Sequence, residues 1–423
     1  MAEQGVNRRS VLITGAAVAA ALATRSSPSS AAETVKVGIL FPLSGNAASA
    51  GQSAKAAVEL GIDIVNNAHP ELKPLPLAAT AGLPKLGGAK IEGIYVDTQG
   101  SPSVGQSQTL RLITQQHVNA LLGAYQSSVT FTTTAVAERY GIPYVNGESV
   151  AANITQRGFK WTFRTTPIAP DFARTYMEFI ADMKKAGKKI DSIAIVNENT
   201  DYGTSVAETV SKAAKEHDVK VAAQIPYNAN STDLSAQVLQ LKQKQPDLVI
   251  FVSYTADTIL YMKTLKNLNY LPPMIIGDDS GFSDPSFIPS VGDITQGVMD
   301  RSAWDIGKPG SVTYKINEMF KAKTGHDLDD TSGRDMQAFF VLANAINRAG
   351  STDPEKIRAA LASTDLKPNQ LMMGYKGVKF DKTGQNVLAS TYLIQLQGEH
   401  YVSVWPADRA TAKLEWPMKG WKK

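Results

Sequence analysis

Apolar positions in this chain follow two periods, and the two alternate. Val35-Lys-Val-Gly-Ile-Leu-Phe41 is a near-continuous apolar run ended by the turn residues Pro42-Leu-Ser44-Gly45-Asn46, the pattern of a strand buried on both faces. From about 51 to 66, Ala54, Val58, Ile62 and Val65 fall three and four residues apart, which predicts one face of a helix. Strands follow at 91–96, 120–123 and 142–145, with helices at 104–116 and 128–140 between them. The rhythm restarts at Ser192-Ile-Ala-Ile-Val196. Helices at 204–217, 233–244 and 256–269 separate strands at 219–225, 248–252 and 274–276. Alternation of this kind builds parallel sheets covered by helices on both faces, and its length fits two such sheets. The stretch 311–363 returns to helix, including 336–349, and 377–397 predicts a hairpin turning at Asp381-Lys-Thr-Gly384. One segment breaks the rhythm. Residues 67–88, with Pro70, Pro74, Pro76 and Pro84, have no apolar period and predict a surface insertion.

The N-terminus follows neither period. Asn7-Arg8-Arg9-Ser10-Val11-Leu12 places a twin arginine ahead of an Ala-rich run to Ala23, and Ser30-Ala31-Ala32 follows. Basic region, short apolar region and small-residue site in that order predict an export signal over 1–32, of twin-arginine type. Arg25, just after the apolar run, favours that route over the general one. The competing reading is a disordered tail. The run is too short and too poor in Leu and Ile for a span of about 20 residues. The mature chain is expected to begin at Glu33, outside the cytoplasm. Its length of about 390 residues suits two domains.

Composition narrows the chemistry. The formal charge of +4 falls to +2 once Arg8, Arg9, Arg25 and Glu3 are removed, which gives no case for a nucleic-acid partner. Zero cysteines exclude disulfides, thiolate nucleophiles and cysteine metal sites. The five histidines, at 69, 117, 217, 326 and 400, have no ligand spacing, so no metal site is expected. No GxGxxG follows the first strand, and GxxxxGK[ST], GxSxG and HExxH do not occur. No catalytic residue and no cofactor is therefore assigned.

In doubly wound sheets, ligands gather beyond the carboxyl ends of the strands. That rule selects Ser127 and Ser128, whose hydroxyls and free N–H groups at a helix start suit a carboxylate. Simple N-capping is the alternative for the pair. It also selects Glu148 and Ser149, Tyr202 and Tyr254, and Asp278 and Asp279, which suit an ammonium group or a turn. Trp304 and Tyr261 have no such placement and read as packing.

The opening Val35-Lys-Val-Gly-Ile-Leu-Phe-Pro-Leu-Ser-Gly-Asn46 is similar to that of the substrate-binding proteins of branched-chain amino-acid ABC transporters. So, in order, are Gly51 with Ala56-Ala57, Gly123-Ala-Tyr-Gln-Ser127-Ser128, Gly141-Ile-Pro-Tyr-Val145, Ile154-Thr-Gln-Arg-Gly158-Phe, Phe163-Arg-Thr165, Asp201-Tyr-Gly203 and Gly277-Asp-Asp279. The resemblance covers nearly the whole mature chain. It implies a type I periplasmic-binding fold, two doubly wound parallel-sheet α/β lobes joined by a three-strand hinge that closes on ligand. Crossings near Thr166, Ala303 and Leu388 would give one lobe of 33–165 plus 304–388 and another of 166–303 plus 389–423. The resemblance puts Ser127 on a carboxylate-binding serine with Ser128 beside it. Ser149 and Val150 fall on small-residue and threonine positions that use backbone and hydroxyl groups. Tyr202 and Tyr254 fall on second-lobe tyrosines, and Asp279 on the acid that pairs with the α-ammonium.

Two departures bear on the ligand. Glu148 replaces a small residue, and a carboxylate there would favour an amine, amide or guanidinium group. Alternatively it faces away and pairs with Arg164 or Arg174. Ala50 stands where leucine-type binders often carry tryptophan. The expected function is a non-enzymatic, periplasmic solute-binding protein, monomeric by resemblance. It would deliver an amino acid or related small polar solute to an inner-membrane ABC permease. The rivals are an exported amide or amino-acid sensory receptor of the same fold and an exported α/β enzyme.

Overall fold

The structure, a computed structural model, describes residues 1–2, 34–278 and 281–419. Residues 3–32 of the expected export signal, and Asp279, lie outside the described residues. The apolar run that opens the mature chain forms β1 (Val35–Phe41) as an interior strand of the first sheet. It pairs in parallel with β2 (Ile91–Asp97) on one side and β3 (Ala120–Gly123) on the other; β4 (Tyr144–Asn146) and β5 (Thr162–Arg164) extend the sheet in parallel. Helices α1 (Ala48–Asn66), α2 (Pro102–Thr114) and α3 (Ser127–Tyr140) fill the crossovers.

The chain leaves this sheet through α4 (Ala169–Lys185), whose Phe172, Tyr176, Phe179 and Ile180 are buried. The second unit runs β6 (Ser192–Glu198), α5 (Asp201–Glu216), β7 (Lys220–Tyr227), α6 (Ser235–Lys244), β8 (Leu248–Val252), α7 (Thr255–Asn267), β9 (Ile275–Gly277), α8 (Phe287–Val291) and β10 (Met299–Ser302). It then returns to the first sheet with α9 (Val312–Thr324), α10 (Asp330–Ala349) and α11 (Pro354–Ala362), whose apolar faces join those of β1 and α1 in one core. A two-strand ladder, β11 (Asp365–Leu366) with β12 (Val378–Lys379), precedes β13 (Tyr392–Gln397) and β14 (His400–Trp405). β13 adds antiparallel to β10 and β14 antiparallel to β13, so the second sheet reads β14-β13-β10-β9-β8-β6-β7. The result is two parallel-sheet α/β lobes, one carrying an antiparallel edge.

Three connections lie side by side between the sheets. The Gln385 and Asn386 amides donate to the Thr166 and Thr165 carbonyls at 2.8 and 3.0 Å, and Thr391 Oγ1 donates to the Ser302 carbonyl at 2.9 Å. No helix among the described residues is long and apolar enough to cross a membrane.

Two sequence expectations are corrected. Residues 377–397 do not make one hairpin: the turn at 381–384 is closed by a Phe380–Asn386 bridge, and β13 departs to pair with β10 and β14. The insertion at 67–88 is not merely superficial. Leu72, Leu75, Ala78 and Leu83 are buried in the first lobe's core, spaced by 3₁₀ turns and not by a helical or strand period.

Candidate functional site

The first lobe contributes two serines held by backbone, with Tyr125 and Glu148 beside them. Gln126 takes the N-cap position of α3, so Ser127 and Ser128 are its first two helical residues and not caps. The Ser127 hydroxyl is buried and accepts the Ala151 N–H at 3.3 Å, which ties the loop after β4 to the start of α3. Ser149 Oγ lies 2.6 Å from Thr130 Oγ1 and 2.9 Å from the Ala124 and Tyr125 carbonyls. Gly147 permits this packing, because a Cβ there would stand 2.6 Å from Asp335 Oδ1 and 2.9 Å from the Arg334 carbonyl. Beneath the loop, the fully buried Arg164 donates to the Ser149 and Ala151 carbonyls (3.1 and 2.7 Å), Thr155 Oγ1 (2.8 Å) and Gln385 Oε1 (2.7 Å). Burial pulls its pKa down to about 9, which leaves it charged at neutral pH.

The second lobe presents long side chains from two helix starts. Glu198, at the end of β6, accepts the Thr200 and Gly203 N–H groups, both at 2.5 Å, and fixes the first turn of α5. A Cβ on Gly203 would stand 2.0 Å from the Glu198 carbonyl, so this turn needs glycine. Tyr202 is thereby aimed inward. Its hydroxyl donates to the Asp278 carboxylate at 3.0 Å, and Tyr176 donates to the same carboxylate. Tyr254 caps α7 and packs between its neighbours, its ring centroid 5.6 Å from that of Tyr125 and 5.2 Å from that of Tyr202. Burial holds its phenol well above the ordinary pKa, so it stays neutral.

These walls meet. Tyr125, Ser127, Glu148, Ser149 and Val150 from the first lobe, with Tyr202 and Tyr254 from the second, line one small cavity of about 10 Å³. Ser128 is not among them; it lies with Asn46, Gln99 and Asn230 on a wider opening on the other side of Tyr254. The lobes also touch directly: the Asn46 amide donates to Asn230 Oδ1 at 2.8 Å, Ser49 Oγ to Asp284 Oδ1 at 2.9 Å, and Ala152 N–H to Ser205 Oγ at 3.2 Å.

Glu148 lines the cavity, yet its ion pair is with neither Arg164 nor Arg174. Arg334 Nη2 of α10 donates to Glu148 Oε1 at 2.6 Å, while Arg174 pairs with Asp171. Arg334 Nε also reaches Asp330 Oδ2 at 3.0 Å. Asp330 faces Arg301 Nη1 at 3.9 Å, and Arg301 Nε faces Asp278 Oδ1 at 3.5 Å while its guanidinium lies 3.6 Å over the Phe172 ring. A buried ionic chain thus joins Glu148 on one wall to Asp278 behind the other. Sequence reasoning missed its middle, and gave no role to Tyr125 although it lies just after a strand. The available signal was Asp330 and Arg334, an i,i+4 pair just ahead of an apolar helix. Tyr261 is buried in packing, whereas Trp304 is buried and also borders a second cavity.

The periplasmic binding protein family matches residues 34–400. This chain belongs to that family. Its members are solute-binding proteins, and among curated relatives, Leu/Ile/Val-binding protein homolog 8 of Brucella suis biovar 1 is 31% identical over 423 residues, 96% of this chain and 99% of that protein. Solved members share the fold. A branched-chain amino acid transporter substrate-binding protein, LivJ of Streptococcus pneumoniae, in complex with isoleucine, superposes with TM-score 0.74 at 19% identity over 91% of this chain and all of that one. A solute-binding protein of R. palustris in complex with benzoate gives 0.73 at 19%, over 90% and 98%. The chain is accordingly a substrate-binding protein of the branched-chain amino-acid transporter type.

Proposed function

We propose that this chain is the periplasmic receptor of an ABC importer, and that it binds an amino acid or related small polar solute between its lobes and delivers it to a membrane permease. The observation that carries the reading is the cavity in which Ser127, Glu148 and Ser149 of one lobe meet Tyr202 and Tyr254 of the other. In this proposal Ser127, with the N–H groups at the start of α3, Ser149 and Val150 hold the solute carboxylate. Tyr202 and Tyr254 close over it, Ser128 guards the outer opening, and Asp279 takes the ammonium group. Glu148 adds a carboxylate whose charge Arg334 already balances, so it orients the solute more than it attracts a second cation. Hinge crossings near Thr166, Ala303 and Leu388 let the lobes part. Export follows the twin-arginine route, so Arg8→Lys with Arg9→Lys leaves the precursor unprocessed in the cytoplasm.

A second reading draws on Tyr125, which brings a third ring to the cavity. Three phenols suit an aromatic carboxylate, the class to which the ligand of the R. palustris relative belongs. One experiment separates the two. Protein stripped of carried-over solute is screened by thermal shift against amino acids, amides, polyols and benzoates. A ligand at about 100 times its dissociation constant stabilises by about 2.7 kcal/mol. Scattering curves that tighten only with the stabilising solute support closure; a particle that never changes shape overturns it. Uptake of that solute by cells, lost with this protein and restored by it, tests delivery to a permease.

A further inference from the structure

A second, larger cavity of about 190 Å³ shares no lining residue with the tyrosine cavity. Its walls come from Asp284 ahead of α8, Trp304 after β10, Asp329 at the N-cap of α10, and Glu399 and Ser403 at the β13–β14 edge. Asp284 and Asp329 are buried, at 4% and 7% exposure. Asp284 accepts from Ser49 Oγ (2.9 Å), Thr255 Oγ1 (3.1 Å) and both the N–H and hydroxyl of Ser286 (2.8 and 2.5 Å). Asp329 accepts from Ser53 Oγ at 2.9 Å and Ser332 N–H at 2.7 Å. All of these donors are neutral, and among the described residues neither aspartate forms an ion pair. Buried carboxylates in proteins are ordinarily matched by a cation, because hydrogen bonds from neutral groups do not cancel the charge.

The same cavity is bordered by donors. Trp304 is 6% exposed, and among the described residues its indole Nε1 meets no acceptor. Its benzenoid edge packs on α10, where a Cβ on Gly333 would stand 3.1 Å from Cε3, so the N–H edge turns away from that helix. The Ser403 hydroxyl, in a residue 2% exposed, likewise meets no partner among the described residues. An indole N–H can only donate, so its partner must bring a lone pair. The two carboxylates disfavour an anionic one.

We propose that this cavity is a second solute site, separate from the tyrosine cavity, that takes an organic cation bearing a hydroxyl or carbonyl oxygen. Ammonium groups sit against Asp284 and Asp329, and the oxygen accepts from Trp304 and Ser403. No group of three or more His, Asp or Glu among the described residues is placed to hold a metal ion, which points to an organic cation. The minimal probe is 1,3-diamino-2-propanol, with glycerol as its uncharged counterpart. The chain has five tryptophans, so an indole ¹H–¹⁵N spectrum is simple, and Trp304→Phe identifies the Trp304 signal.

The diamine should move that signal saturably, and glycerol should not. Asp284→Asn should weaken the titration by about tenfold or more, and Ser127→Ala in the other cavity should leave it unchanged. Because Asp284 also ties down Ser49, Thr255 and Ser286, Glu399→Gln on an exposed turn is the second variant, expected to weaken binding by about two- to fivefold. The proposal is overturned if the signal does not saturate by about 10 mM, if glycerol moves it equally, if Ser127→Ala abolishes the shift, or if a folded Asp284→Asn and Glu399→Gln both titrate like wild type.

Discussion

The two walls of the tyrosine cavity are built on different principles. The first-lobe wall carries Ser127, Ser149 and main chain beside Tyr125 and Glu148, set by the turn from β3 into α3 and by the loop that Arg164 pins from below. The second-lobe wall consists of two tyrosines on helix starts, and Tyr202 is held by a carboxylate that belongs to another loop. Local chain geometry therefore determines the first wall, while the second depends on side-chain hydrogen bonds between segments distant in sequence. Single side-chain changes should hurt the second wall and its supports more than the first. The walls meet electrically through Arg334 and Arg301.

The largest expected effect follows from cutting that link. Arg334→Met removes the 2.6 Å ion pair of the buried Glu148 and one of the two cations facing Asp330, and should lower stability by about 3–5 kcal/mol, read by urea denaturation. Adding Glu148→Gln should recover part of the loss. A single variant within about 1 kcal/mol of wild type would mean that this chain of charges carries little.

Next comes the ammonium partner proposed on the second wall. With the solute found by the screen, Asp279→Ala should weaken binding by about 2–5 kcal/mol, since it leaves a desolvated ammonium unpaired. Calorimetry should read a loss of roughly thirtyfold to several thousandfold. Wild-type affinity in that variant would mean the solute places no ammonium there, and the aromatic-acid reading gains.

A third test concerns the support behind the second wall. Asp257 in α7 accepts from Asn230 N–H at 3.1 Å and Tyr227 Oη at 3.3 Å, and burial pushes its pKa up to about 6. The unfolded chain releases this proton near pH 4, so between about pH 4 and pH 6 the folded state binds it more tightly. Raising the pH through that window removes a proton the fold prefers to keep, and stability falls. Wild type should lose up to about 3 kcal/mol relative to Asp257→Asn across it and nothing further above it. Parallel stability curves for the two proteins would contradict the shift.

How much of this was legible in the sequence follows the same division. β1 and α1 announce themselves through unbroken apolar periods, and the loops at strand ends follow from them. That is why Ser127, Glu148, Ser149, Tyr202 and Tyr254 could be picked out at strand ends, whereas Val150 came only from the family resemblance; all six line one cavity. The partner of Glu148 could not, because Arg334 lies 186 positions away and no local pattern ranks it above Arg164. The first turns of α10 were hidden by Asp330, Arg334 and Asp335, buried charges in a helix whose apolar signal begins at Met336. β13 looked like the second arm of a hairpin because alternation names a strand without naming its partner.

The smallest expected effect tests the first wall itself. Ser127 Oγ accepts from Ala151 N–H, so its own hydroxyl proton remains to be donated, and the geometry offers that proton to the cavity. Replacing the residue by alanine removes this one donor and leaves the N–H groups at the start of α3 in place. The carboxylate of a bound solute would keep most of its partners, so affinity should fall by only about 0.5–1.5 kcal/mol. The Ala151 N–H also loses its acceptor, which should lower stability of the free protein by a similar amount, about 1 kcal/mol. Calorimetry and urea denaturation on Ser127→Ala read the two separately. A binding loss as large as that of Asp279→Ala would show that the hydroxyl, not the helix start, holds the anion, and the contrast between a main-chain wall and a side-chain wall would fail.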